Sequence, residues 1–279
     1  MIGSMLPENM KWSDASTALL VETDKKSCKS VCITINKACE EKDSRMAAMS
    51  AVIDIATWAH ETNVYWVEPY LVTCIPNVLA LCADKQKEVQ INAEEAGNCI
   101  MKALNPVAVD AMLELLFVQF KEHRWQTKLA AVRLFSSLAL SAPKAVTFNL
   151  PKVVRELMEV SQDPKPQIKD AALAALKSCV QVIDNPDIIP VLDAVISANM
   201  NPETEGESCL DRLVATTYVN NVDKATLSVI VPILMRGLRV RGNVIMQRKA
   251  AIVMDTMCKL VKDPEEIAPF ADEVLPDLI

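Results

Sequence analysis

NLPKVVRELMEVSQDPKPQIKDAALAALKSCVQVI, residues 149 to 183, is the stretch that decides the fold. Ile168, Ala171, Ala172, Ala175, Leu176, Cys179, Val180 and Ile183 follow one another at steps of three and four, which places them on one stripe of a helix. Asp163-Pro164 offers an N-cap acceptor and a preset φ, so this helix is predicted to start at about residue 164. Upstream, Val153, Val154, Leu157 and Val160 mark a shorter helix opened by Pro151. Two amphipathic helices joined by so short a connection cannot bury both stripes against each other, so the hairpin needs neighbours of its own kind.

The neighbours recur along the chain. A basic residue, one spacer and Ala-Ala occur at Arg45 to Ala48, Lys128 to Ala131, Lys169 to Ala172 and Arg248 to Ala251, with a weaker copy from Arg212 to Ala215. The basic residues are 83, 41, 43 and 36 residues apart. The first step is double, and KEVQINAEEA at 87 to 96 is the candidate for the missing copy. Paired helices repeating about every 40 residues are the signature of HEAT or armadillo repeats. The expected fold is all-α, a right-handed α-solenoid of about six HEAT-type helical hairpins over residues 25 to 279, after a poorly ordered lead-in at 1 to 24 and with the last repeat cut short at 279.

Composition agrees with this reading. Apolar residues make up 51% of the 279 while aromatics make up only 4%, as packing by Ala, Leu, Val and Ile between helices requires. With five glycines and few alternating runs, a sheet is not expected. No apolar run reaches the length of a membrane span, and no basic-then-apolar leader opens the chain, so neither membrane contact nor secretion is expected and the location read is cytoplasmic. Nine cysteines fall on helical stripes, where they read as small buried apolar residues. His60 and His123 lie near no ligand pair, so no metal site is expected.

Local irregularities carry further expectations. Pro76 should kink a helix over 70 to 82, and Gly97 should allow close approach of a neighbouring backbone. Residues 199 to 207, which are acidic, read as the longest loop within a hairpin. Net charge is −7, yet Lys224 to Met254 holds six basic residues and no acidic one. Arg236, Arg239 and Arg241, followed by Arg248 and Lys249, surround the predicted turn at 239 to 243. These five, with Lys121 and Arg124 in the third turn, are the candidate phosphate contacts. The ordinary alternative is that arginines at a helix C-terminus meet the dipole, and that Arg248 bonds a neighbouring repeat. No pairing of nucleophile and base, and no G-x-x-x-x-G-K-[ST] loop, is present, so no catalytic or cofactor site is expected.

Several stretches resemble one family. VEPY at 67 to 70, LNPVA at 104 to 108, RWQTKLA at 124 to 130, ATTYVNNVDKATLSVIVPILMRGL at 215 to 238 and KAAIVMDTMCKLVKDPEEIAPF at 249 to 270 are similar to the N-terminal HEAT region of fungal-type translation elongation factor 3, a ribosome-associated ATPase of the ABC class. The resemblance covers about 65 to 279. It implies a monomeric arm that docks on ribosomal RNA and ribosomal proteins, takes no small-molecule substrate, and supports release of deacylated tRNA from the exit site. ATP and Mg are then expected only in nucleotide-binding domains downstream. The competing reading is a protein-only scaffold, similar to the repeat region of the starvation-response kinase activator or to the importins.

Overall fold

The periodic stripes form helices throughout, and no strand occurs among the described residues, which in this computed structural model are 25–278. The expected lead-in at 1 to 24 lies outside them. The chain divides into two units, 1–145 and 146–279, and each is a stack of helical hairpins.

In the first unit, α1 (Lys25–Ala38) pairs with α2 (Arg45–Thr62). Next come α3 (Glu68–Val72) and α4 (Ile75–Leu81), paired with α5 (Lys87–Ala103), then α6 (Val109–Phe120) with α7 (Trp125–Ser141). The second helices stack, α2 along α5 and α5 along α7. Ala48, Ala93 and Ala131 are fully buried on those helices. Small side chains there let helix axes approach closely, and the stripes that one hairpin cannot cover are covered by the next. The missing repeat copy is confirmed as α5. Where one kinked helix is predicted over 70 to 82, the chain breaks into α3 and α4, and Pro76 falls in the first turn of α4, where its missing N–H removes no helical bond. Gly97 meets a side chain, not a backbone. A Cβ there would lie 2.5 Å from Leu134 Cδ2 of α7.

The short α8 (Pro143–Phe148) follows. The second unit contains α9 (Leu150–Val160) with α10 (Pro166–Val180), α11 (Leu192–Met200) with α12 (Pro202–Ala215), α13 (Lys224–Arg239) with α14 (Val244–Leu260), and α15 (Pro264–Leu278). First helices adjoin as α9 against α13 and α13 against α15, while α12 packs on α14. The start of α10 is two residues later than predicted, because Asp163 accepts from the N–H of Lys165 in a local turn and Pro166 takes the first helical position. Residues 199 to 207 are not a loop. Only Asn201 separates α11 from α12, since Pro202 opens the second helix and Glu203 and Glu205 sit in its first turn, where the dipole favours them. The weaker repeat copy at Arg212 is misplaced for the same reason: Arg212 lies in the last turn of α12, not near its start.

Polar links between neighbouring repeats keep the repeat period. The N–H of Asn105 donates to Glu68 Oε1 at 2.6 Å, Asn77 Nδ2 to Asn36 Oδ1 at 2.8 Å, Asn185 Nδ2 to the Asn221 carbonyl at 3.1 Å, and the N–H of Lys224 to Glu266 Oε2 at 2.6 Å. Their separations run from 36 to 42 residues. Repeat stacking thus satisfies groups at helix ends that an isolated hairpin would leave to solvent.

Candidate nucleic-acid interface

The five basic residues of the sixth hairpin are brought to one end of α13 and α14, but not to one electrostatic state. Asn243 caps α14 by accepting from the N–H of Met246, and Gly242, at φ +85°, supplies the left-handed turn residue. That turn projects Arg241 into solvent, and Arg248 is exposed on α14. Neither has an ion-pair partner among the described residues. Arg239 is different: its Nη1 lies 3.8 Å from Glu273 Oε1 of α15, whose Oε2 also meets Arg155 Nη2 of α9 at 3.2 Å. Lys249 pairs with Asp211 of α12. Arg236, between two grooves, has its pKa lowered by partial burial. Of the five, Arg236, Arg241 and Arg248 are therefore exposed without an ion-pair partner among the described residues, Arg236 between the two grooves and Arg241 and Arg248 at the turn and on α14.

Register also changes the meaning of Arg248. Arg45 lies three residues before the buried Ala48 and reaches back to its own turn, Nε donating to the Cys39 carbonyl at 3.1 Å. Gln90 stands three before Ala93 and donates to the Asp84 carbonyl. In the sixth hairpin the buried residue is Ala250, so the equivalent position is Gln247. Its Nε2 donates to the carbonyls of Leu238 at 3.2 Å and Val240 at 3.0 Å. Arg248 is one residue out of that register.

The first unit holds a second basic surface, which the charge pattern of the sequence shows only in part. Lys42, Lys85 and Arg124 come from three successive hairpin turns and line one cleft of about 530 Å³. All three are exposed, and none has an ion-pair partner among the described residues. The carboxylate in this cleft, Asp84, is held by Arg45 at 2.6 Å, which leaves three cations uncompensated. Lys121, at the end of α6, is exposed three residues before Arg124. Lys42 and Lys85 do not stand out in the sequence because each sits among acidic residues. Their spacing of one repeat period to each other and to Arg124 is the signal that would have found them.

No three His, Cys, Asp or Glu side chains among the described residues are arranged to hold a metal ion. No single described helix is long and apolar enough to cross a membrane; residues 87–103 and 106–120 reach that length together but bend by 117°.

Comparison with known proteins matches the chain to the EF3 N-terminal HEAT repeat over residues 15–176 and to the Elongation factor 3/GNC1 HEAT repeat over 205–279. It is 37% identical over 243 residues to elongation factor 3 of Candida glabrata and, at the same identity and length, to elongation factor 3A of Saccharomyces cerevisiae, in each case covering 87% of this chain and 23% of the relative. Elongation factor 3 of Gonapodya prolifera is 38% identical over 213 residues, 76% of this chain and 19% of that protein. The chain thus spans about a quarter of the length of the curated relatives it matches.

Proposed function

Because the chain belongs to the elongation factor 3 N-terminal HEAT-repeat family, we propose that it is the non-catalytic arm by which a translation elongation factor 3-like ATPase docks on the ribosome. The observation that carries this reading is the cleft in which Lys42, Lys85 and Arg124, from three turns one period apart, stand without an ion-pair partner among the described residues, its carboxylate Asp84 being held by Arg45. Helix layers are spaced about 8 to 10 Å apart, so cations on three consecutive turns suit an extended phosphate backbone better than a single anion. Arg241 and Arg248 in the second unit offer a further contact of the same kind. The reading assigns the protein to the cytoplasm as a monomer, leaves this segment without cofactor or small-molecule substrate, and assigns ATP, Mg and the drive for exit-site tRNA release to other domains of the longer protein.

The test is co-sedimentation with ribosomes across a salt series. Replacing Lys42, Lys85 and Arg124 with Glu should weaken binding and flatten the log–log salt slope by somewhat under one unit for each phosphate no longer neutralised. Parent-like pelleting of the triple variant at every salt concentration would refute the assignment.

A further inference from the structure

In the second unit α11, α12, α13 and α14 enclose a groove of about 580 Å³ whose walls include Ala198, Pro202, Ile233, Val240 and Met246. Its size depends on Gly206 of α12. A Cβ at that position would meet only Met246 Cε within 4 Å, at 3.8 Å, so the space a side chain would take is left to the groove. Along the rim stands Arg236, which has no carboxylate partner among the described residues. The neighbouring Arg239 faces Glu273, and Glu203 lies on the rim as a carboxylate. Asn199, also lining the groove, is almost fully buried. It gives its amide hydrogens to the carbonyls of Val195 and Val229, at 2.9 and 2.8 Å, while its Oδ1 has no partner.

We propose that this groove is a docking site for a segment of a partner protein that presents an aliphatic side chain next to a carboxylate. Each part of the occupant answers one feature of the groove. The aliphatic group fills the space over Gly206 against Ile233, Val240 and Met246, where a methionine adapts to the shape of what enters. The carboxylate meets Arg236, a partly desolvated guanidinium for which a bidentate partner is the favourable state. A backbone N–H group of the same segment serves the exposed acceptor Glu203 on the rim. A nucleotide is the other occupant of suitable size, but the walls contain no aromatic side chain on which a base would stack. This surface is therefore distinct from the phosphate-facing cations Lys42, Lys85, Arg124, Arg241 and Arg248, and goes beyond the ribosomal-RNA contact proposed for them.

The experiment uses the whole 279-residue chain and fluorescence polarisation of a labelled octapeptide of alternating leucine and glutamate. Saturable binding is expected, at least tenfold tighter than for peptides with serine replacing leucine or lysine replacing glutamate. Gly206→Leu, which fills the groove, and Arg236→Gln should each weaken it tenfold or more. Arg241→Glu should change it less than twofold while still lowering ribosome co-sedimentation, so that the groove and the phosphate surface fail or survive separately. If Gly206→Leu lowers the melting temperature, Val240→Glu takes its place, because it sets a competing carboxylate beside Arg236 at a half-exposed position. Equal affinity for the serine peptide, parent-like binding by the groove variants, or displacement of the peptide by an unlabelled uridine octanucleotide at equal concentration would each overturn the proposal.

Discussion

Arg45 and Asp84, 39 residues apart, meet at 2.6 Å and join the first hairpin to the turn of the second. The same guanidinium donates to the Cys39 carbonyl, so one side chain closes its own turn and clamps the next. The Asp84 side chain is only 8% exposed, which makes the pair costly to break from one side. Arg45→Met should lower stability by about 2 to 3 kcal/mol, the expected cost of leaving a mostly buried carboxylate without its counter-ion, with only the N–H of Gln86 still bonded to it. Lys259→Ala, which breaks an exposed i,i+4 pair with Asp255, should cost no more than about 0.5 kcal/mol. Urea denaturation of both variants checks the contrast, and similar losses would contradict it.

Glycines in two second helices should respond in opposite directions to alanine. At Gly206 the added methyl finds ordinary contact with Met246, and removing a helix-interior glycine should stabilise by about 0.4 to 1 kcal/mol. At Gly97 the same methyl lies 2.5 Å from Leu134 Cδ2, so Leu134 must leave its place in the core, at a cost of about 1 to 3 kcal/mol. Thermal melts that move the same way for Gly97→Ala and Gly206→Ala would show that Leu134 yields freely.

Asp187 should supply acid-sensitive stability. Its carboxylate accepts from the N–H groups of Asn220 and Val219 and from Asn220 Nδ2, each at 2.8 Å, and these bonds hold its pKa below the ordinary 3.8. A carboxyl with a lowered folded-state pKa stabilises above the unfolded value and loses that contribution as pH falls through the folded value. The stability gap between the parent and Asp187→Asn should therefore narrow as pH is lowered from 5 through and below 3.8. Glu68 has the opposite sign, burial raising its pKa, so the difference between parent and variant, not the parent curve alone, is the measurement. A gap that stays constant with pH would mean the Asp187 bonds do not favour its charged form.

Seven of the nine thiols are buried, Cys99 is half-buried and Cys258 is exposed. Burial pushes Cys82 and Cys179 up to about 12, and Cys39 and Cys209 to about 11, so these are protonated as well as inaccessible at pH 8. Native-state titration with a thiol-specific disulfide reagent should modify Cys258 first and Cys99 next, with the other seven appearing only in denaturant. Cys258 should itself react more slowly than an unperturbed thiol, because partial burial and Asp255 raise its pKa. More than two rapidly reacting thiols in the native protein would contradict the burial of the cysteine stripes.

Periodicity makes the hairpins legible because it is a local property of the chain: Ile168, Ala172, Leu176 and Cys179 must share a face whatever surrounds them. Charge is legible only where it is locally uniform. Arg241 and Arg248 stand out in an interval without acidic residues, whereas Lys42 and Lys85 are masked in sequence by Glu40, Glu41, Asp43 and Asp84. Folding removes part of that masking by pairing Asp84 with Arg45. The converse holds at Arg239, where the neutralising carboxylate, Glu273, comes from a helix that no local window includes. The start of α12 reads as a loop because Thr204, Gly206 and Ser208 lower intrinsic helix preference, while Pro202 and the N-terminal charges that fix the start of the helix have the composition of a loop.

The register of α14 provides the sharpest contrast between sequence and structure. The repeating basic-x-Ala-Ala pattern selects Arg248 as the residue beside the turn, and that choice makes Arg248 a structural side chain. Burial selects differently: Ala250 is fully buried and Ala251 is not, which moves the equivalent of Arg45 to Gln247. Gln247 bonds the two carbonyls that close the turn, Leu238 and Val240, while Arg248 points to solvent. Gln247→Ala should therefore cost about 1 to 2 kcal/mol, for one missing donor group and two carbonyls at the end of α13 left to find other partners. Arg248→Ala, with no internal bond to lose, should stay within about 0.5 kcal/mol of the parent. Urea midpoints at unchanged m-value measure both on one scale. If Arg248→Ala proves the more damaging, the turn is held as the sequence pattern predicts, and Arg248 is not available to a phosphate. If Gln247→Ala is the damaging one, a neutral amide closes the turn, and the charge of Arg248 is left for a partner outside the chain.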